Sequence, residues 1–220
     1  MTPLPCNLKT QEFIDLISNL SPKVDEIIET GCYNGLGSTL IFAKTGKPVI
    51  SLECHHKNVL LARENLKDYK NANILYSMSL NYKDMVYHIL NEDYSVPEGI
   101  RNDSVTPVQF YLDELTNFID QGTTIPEDML HTLVNNYKKQ LIFLDSNGGT
   151  GMMELQAVPG IDIFDEDSKL DYKVVILDDI DHVKHYKSVE YMKKDERYKV
   201  NISSCGRFCW FWKKGNVLGL

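Results

Sequence analysis

The chain lacks a basic stripe. Its 23 lysines and arginines are outnumbered by 31 acids, the formal charge is −8, and the lysines are scattered along helix-like segments. Without a cationic face there is little to bind a polyanion, so nucleic acid is expected neither as substrate nor as partner. No apolar run approaches the roughly 20 residues that a membrane-spanning helix needs, so no membrane is expected either. The opening "MTPLPCNLKT" has no charged n-region followed by an apolar stretch, and no low-complexity tract or solenoid repeat occurs. Five cysteines (Cys6, Cys32, Cys54, Cys205, Cys209) form no framework of close pairs. That count predicts a reducing, cytoplasmic setting. Cys205 and Cys209 have no second pair to complete a zinc site and are expected as buried thiols on strands. The oligomeric state is left open.

What is present is a globular composition, 43% hydrophobic and 25% charged over 220 residues, which suits one domain. "LKTQEFIDLISNL" has helical spacing and stops at Ser21-Pro22. Strand and helix then alternate: "KVDEIIE", "PVISLE" and "NANILYS" read as strands, each followed by a helical segment. Residues 93–126, rich in proline and glycine, interrupt the rhythm as an insertion on the substrate side. "KQLIFLD" and "KVVILDD" resume it as fully apolar strands ending in acids. The last two strands, "YKVNISS" and "RFCWFWKKG", are separated only by Cys205-Gly206, too short for a parallel crossover. The expected fold is therefore α/β and Rossmann-like: a mostly parallel seven-stranded sheet ending in an antiparallel hairpin, with helices on both faces.

The stretch "ETGCYNGLG", residues 29–37, fits two nucleotide-binding fingerprints. From Thr30 it is the T-G-x-x-x-G-L-G of short-chain dehydrogenases, which bind a nicotinamide dinucleotide. From Glu29 it is the E-x-G-x-x-x-G of methyltransferases that use S-adenosylmethionine. Both need glycines for a tight turn into a helix N-terminus. Two observations favour the second. None of the 12 tyrosines has a lysine four residues later, as the dehydrogenase chemistry requires. An acid at position 29 suits a cationic sulfonium and ammonium, whereas it repels a pyrophosphate. Glu53, ending the second strand, can accept hydrogen bonds from ribose hydroxyls. Ser77 and Ser79 either meet the adenine edge or cap the following helix.

On these residues the chain resembles class I S-adenosylmethionine-dependent methyltransferases, from about residue 24 to 80 and again from 141 onward. The loop is similar to the catechol O-methyltransferase type, E-x-G-x-Y-x-G. The resemblance implies that Glu29, Gly31, Tyr33, Asn34 and Gly35 hold the methionine part of the donor, and that Glu53 with Cys54 holds the ribose. The family's serine at the end of the loop is Gly37 here, with Ser38 beside it.

Methylating an oxygen needs its proton removed or the oxygen bound to a metal. Asp145, Asp178 and Asp179 end two strands at the same sheet edge, and three uncompensated carboxylates there would repel. A divalent cation such as Mg²⁺ or Mn²⁺ relieves that. The resemblance to metal-dependent O-methyltransferases implies the same three ligands, with Asp145 also touching the donor. Alternatively Asp145 serves the donor alone, Asp178 orders a loop and Asp179 caps a helix. The lysine or histidine that such enzymes place three residues after the first metal acid is Gly148 here, so His182 is the candidate general base, with His185 a rival. "FLDSNGGTG" and "ILDDIDHVKHYKSVEYM" are similar to methyltransferases acting on sugars, which implies a sugar or glycan hydroxyl as acceptor. Phe110 and Tyr111 would stack on that sugar or else pack inward. The alternatives are a metal-independent small-molecule methyltransferase and a nicotinamide-binding oxidoreductase.

Overall fold

The computed structural model describes residues 10–102, 106–118, 124–161 and 168–220. In chain order the elements are α1 (Gln11–Leu20), β1 (Glu26–Thr30), α2 (Ser38–Ala43), β2 (Val49–Glu53), α3 (His56–Asn65), β3 (Ala72–Tyr76) and α4 (Tyr82–Asn91). There follow α5 (Pro107–Phe118), α6 (Met129–Val134), β4 (Gln140–Leu144), α7 (Gly151–Gln156), β5 (Lys173–Leu177), α8 (Val183–Lys194), β6 (Tyr198–Ile202) and β7 (Cys209–Lys213).

The seven strands form one sheet in the order β3-β2-β1-β4-β5-β7-β6. β1 to β5 run parallel, and β7 is antiparallel to both β5 and β6. β1, β4 and β5 are buried along their whole length, as central strands covered on both faces, even where β1 carries Glu26, Glu29 and Thr30. The chain leaves β1 toward β2 on one side and returns to β4 on the other. That switch point opens a crevice at the carboxyl ends of the strands.

Each face has its own core. On one, α1 presents Phe13, Ile17 and Leu20 at helical spacing to Ile27, Leu141, Phe143 and Phe208. On the other, Leu155, Val189 and Met192 cover Ile28, Ile142 and Val175. A third cluster, with Met78, Met85, Ile89, Tyr111, Leu115 and Val183, caps the carboxyl edge.

The stretch 93–126 differs from the irregular insertion expected, and part of it (103–105 and 119–123) lies outside the described residues. It contains α5, begun by Pro107 at a first helical position where the missing N–H costs nothing. Tyr111 and Leu115, four apart, are buried on its inner face. α6 is a second helix that its short length concealed. The final hairpin is antiparallel, but its connection spans residues 203–208. Cys209 is a buried free thiol on β7, as expected. Cys205 instead sits exposed in the turn and is disulfide-bonded, its partner lying outside the described residues.

Phe13 is fully buried, with ring centroids 6.0, 5.7 and 5.3 Å from Phe42, Phe143 and Phe208. Phe13→Ala is expected to cost about 3–5 kcal/mol in urea unfolding. Leu60→Ala, on the exposed side of α3, should stay within about 0.5 kcal/mol of wild type.

Candidate active site

The glycine loop is fixed by contact between β1 and β4. Gly31 has φ +74°, and a Cβ there would lie 2.2 Å from the Asp145 carbonyl oxygen, so only glycine fits. Thr30 Oγ1 accepts the Asp145 N–H at 3.0 Å and donates to the buried Glu154 Oε2 at 2.9 Å. The turn continues through Tyr33 at φ 48°, which aims its N–H at Glu53 Oε2 (2.9 Å), while the His55 N–H donates to Glu53 Oε1 (2.8 Å). Both carboxylate oxygens are thereby held at the end of β2. Burial nevertheless raises the Glu53 pKa above its ordinary range.

This geometry frames a cavity of about 310 Å³ at the switch point. Gly31, Tyr33, Glu53, Cys54, Ser77, Ser79 and Asp145 line it. The Ser77 hydroxyl is buried there without a hydrogen-bond partner among the described residues, which is the state of a donor awaiting a ligand. The Cys54 thiol, pushed up to about 12 by burial, is a neutral packing group. Asn58, Asn147 and Glu114 are among the lining residues that escaped the sequence reading. Asn147 Nδ2 donates to Glu114 Oε2 at 2.5 Å, tying the β4 loop to α5.

Other residues assigned to the donor are not on the cavity wall. Glu29 is fully buried and accepts hydrogen bonds from Ser38 and Ser51 hydroxyls, so Glu29 and Ser38 brace the loop from behind rather than facing a ligand. Asn34 Oδ1 accepts the Leu36 N–H within the turn. Gly35, at φ +77°, gives α3 room to approach: a Cβ would lie 2.9 Å from Leu66 Cδ1. These residues shape the loop.

Asp145, Asp178 and Asp179 do converge, offering ligand atoms within 4.8 Å of one another. They are not uncompensated, however. Lys184 Nζ lies 2.5 Å from Asp145 and 3.2 Å from Asp179. Arg207 holds both oxygens of Asp178 at 3.0 and 2.7 Å, and Arg101 reaches Asp179 at 2.8 Å and Asp181 at 2.8 Å. Burial raises the Asp179 pKa, but Lys184, Arg207 and Arg101 outweigh it and hold the carboxyl at about 2. Asp145 is pushed up by burial and by Asp178 and Asp179 against the pull of Lys184. Both oxygens of Asp178, both of Asp179 and Oδ1 of Asp145 thus already face a cation. The donor set therefore does not fit a divalent ion while these three cations hold it.

His182 caps α8: its Nδ1 accepts the Lys184 N–H at 3.1 Å. A neutral imidazole has one lone pair to offer, and here it is committed, so the proton sits on Nε2 and the ring is no base. His182 is also absent from the cavity wall. Burial holds His185 neutral, its pKa well below the usual histidine value. Tyr111 packs inward against Gly148 and Gly149; a Cβ on Gly148 would lie 2.7 Å from the Tyr111 hydroxyl. The space beside Gly148, where the resemblance would place a basic side chain, is filled by that ring.

No protein-family model matches the sequence, and no curated protein matches it. Among solved structures, the cofactor-bound Rv0187 protein from MTB is similar at a TM-score of 0.53 and 12% identity, covering 97% of this chain and 83% of that one. The O-methyltransferase from Bacillus cereus in complex with SAH matches at 0.50 and 15%, covering 96% and 84%. The SAH-bound methyltransferase PaMTH1 of Podospora anserina matches at 0.50 and 16%, covering 91% and 76%. Such identities speak to the fold, and with the strand order they show a class I methyltransferase fold.

The Glu29 cluster generates a pH prediction. Burial raises its pKa from 4.5 to about 7. A raised folded-state pKa gives stability that is full below the unfolded value and lost as pH rises through the folded one. Thermal melts at about pH 5 and about pH 8 should therefore show the native chain losing stability across that window. Glu29→Gln, neutral throughout, should reduce the difference, the remainder belonging to the other buried carboxylates, Asp145, Glu53 and Glu154, whose pKa values burial also raises. An unchanged pH dependence in the variant would place the charge elsewhere.

Proposed function

We propose that the protein is an S-adenosylmethionine-dependent O-methyltransferase acting on a hydroxyl of a sugar in a glycan. The observation that supports this most is the charge of the cavity. Glu53, Glu114 and Asp145 line it, and among the described residues no lysine or arginine does. Such a wall attracts the sulfonium and ammonium of the donor and repels the pyrophosphate of a dinucleotide. The sheet favours the same choice over a dehydrogenase, because β7 runs antiparallel between β5 and β6.

In this reading Glu53 accepts from the ribose hydroxyls with the lone pairs left after Tyr33 and His55. Ser77 and Ser79 meet the adenine, and Gly31 lets the backbone approach the methionine part. Glu114 and Asp145 supply the negative charge at the sulfonium end that Glu29 does not. Bound S-adenosylmethionine supplies an electrophilic methyl group whose bonding electron pair stays on sulfur when the methyl leaves. Asp145 is the base: it takes the acceptor's hydroxyl proton as the oxygen forms its bond to the methyl carbon. With His182 capping a helix and the acidic cluster held by cations, no step is routed through a histidine or a metal.

Calorimetric titration should show S-adenosylmethionine binding and no comparable NADP binding; the reverse result sinks the reading. Glu53→Ala should weaken donor binding between about 10- and 100-fold with the fold intact, the value of a charge-assisted hydrogen-bonding group. An unchanged affinity in a folded variant would remove Glu53 from the ribose site.

A further inference from the structure

The acidic edge already contains a cation, and that cation cannot easily leave. The Lys184 ammonium lies 2.5 Å from Asp145 and 3.2 Å from Asp179, inside the group of carboxylates that come within 4.8 Å of one another. Its side chain is 5% exposed, against 52% for Arg101 and 26% for Arg207. The two arginines can swing toward solvent; the lysine has no such path. Gly151, at the start of α7, shows why. A Cβ there would lie 2.3 Å from the Lys184 carbonyl oxygen and 2.9 Å from its Cγ, so the stem is clamped between α7 and α8.

We infer that Lys184 is a built-in replacement for a divalent ion, keeping metal out of the Asp145–Asp178–Asp179 cluster and presenting an N–H donor to the acceptor hydroxyl. The exclusion of metal stands on these contacts alone; the role toward an acceptor rests on the methyltransferase reading. An ammonium has three N–H donors. Asp145 takes one as a hydrogen bond, and Asp179 faces the ammonium as an ion pair at 3.2 Å. The third is left for an acceptor oxygen, and Lys184 lines the same narrow cleft as Tyr94, Gly148 and Gly149. An ammonium orients a hydroxyl as a metal does, but it withdraws less charge from it, which leaves proton removal to the adjacent carboxylate.

The test uses Mn²⁺ as a probe and needs no acceptor. Electron paramagnetic resonance of Mn²⁺ titrated into the native protein, with and without S-adenosylmethionine, should show only the free ion. Lys184→Gln should create a bound-ion signal, and adding Asp178→Asn to it should remove that signal. Mn²⁺ binding by the native chain that Asp145→Asn abolishes would overturn the inference, and this arm holds even where Lys184→Gln does not fold. A folded Lys184→Gln that still binds no ion would overturn the assignment of metal exclusion to Lys184. Calorimetry with S-adenosylmethionine on the native chain reads the methyltransferase proposal separately: its failure there leaves the Mn²⁺ result standing.

Discussion

The charge balance at the carboxyl edge of β4 and β5 is the constraint on which the rest of the architecture rests. Asp145, Asp178, Asp179 and Asp181 bring four negative charges to one place, and Lys184, Arg101 and Arg207 return three. Each cation arrives on a different element. Arg101 belongs to the chain after α4, Lys184 to the first turn of α8, and Arg207 to the turn before β7. Removing one partner of a buried pair such as Lys184–Asp145 strands its mate, at a cost of about 3–5 kcal/mol, whereas the exposed Arg101 pairs are worth about 0–1 kcal/mol each. The pairs thus tie the cap, the helix and the hairpin to the strand ends at once. Arg101 adds backbone to charge: its N–H donates to the Asp181 carbonyl, and its own carbonyl accepts the Val183 N–H.

Asp179 shows how closely the backbone is fitted to that balance. It adopts φ 51°, a left-handed conformation that costs a side chain about 1–2 kcal/mol, although aspartate tolerates it better than most. Lys184, Arg101 and Arg207 all reach its carboxylate, and their attraction holds the turn. Tyr33 at φ 48° plays the corresponding part at the other wall, where the reward is the hydrogen bond that orients Glu53. Both non-glycine residues sit at the rim of the candidate site, where strain of this kind serves positioning.

The sheet was legible because its signal is local. Apolar runs such as "LIFL" and "VVIL" need burial on both faces, and the short connection between the last strands, six residues in the fold, is too short for a parallel crossover. Glu53, Gly31 and Asp145 were equally legible, since a strand end has one place to go in a switch-point fold. α5 was not, because the prolines and glycines around it outweighed the four-residue spacing of Tyr111 and Leu115. The partners of the acids were hidden for a different reason. Lys184 reaches Asp145 across 39 positions and Arg101 reaches Asp181 across 80, and no periodicity reports such pairs. Glu29 misled because an acid in a glycine loop looks the same in one dimension whether it faces a ligand or two serines.

The two acidic neighbourhoods of this edge therefore do different work. In the cavity, Glu53 and Glu114 are bound by backbone N–H groups or an amide, partners that orient a carboxylate without cancelling its charge. Behind it, Asp178 and Asp179 meet full cations and are neutralised. Asp145 lies on the boundary: it lines the cavity yet pairs with Lys184. The negative field of the first set is therefore not cancelled as that of the second is, and it falls steeply at Asp145. Under the proposed function, a cationic donor would be drawn to the first set, and an acceptor oxygen at Asp145 would meet a negative group on one side and the Lys184 ammonium on the other.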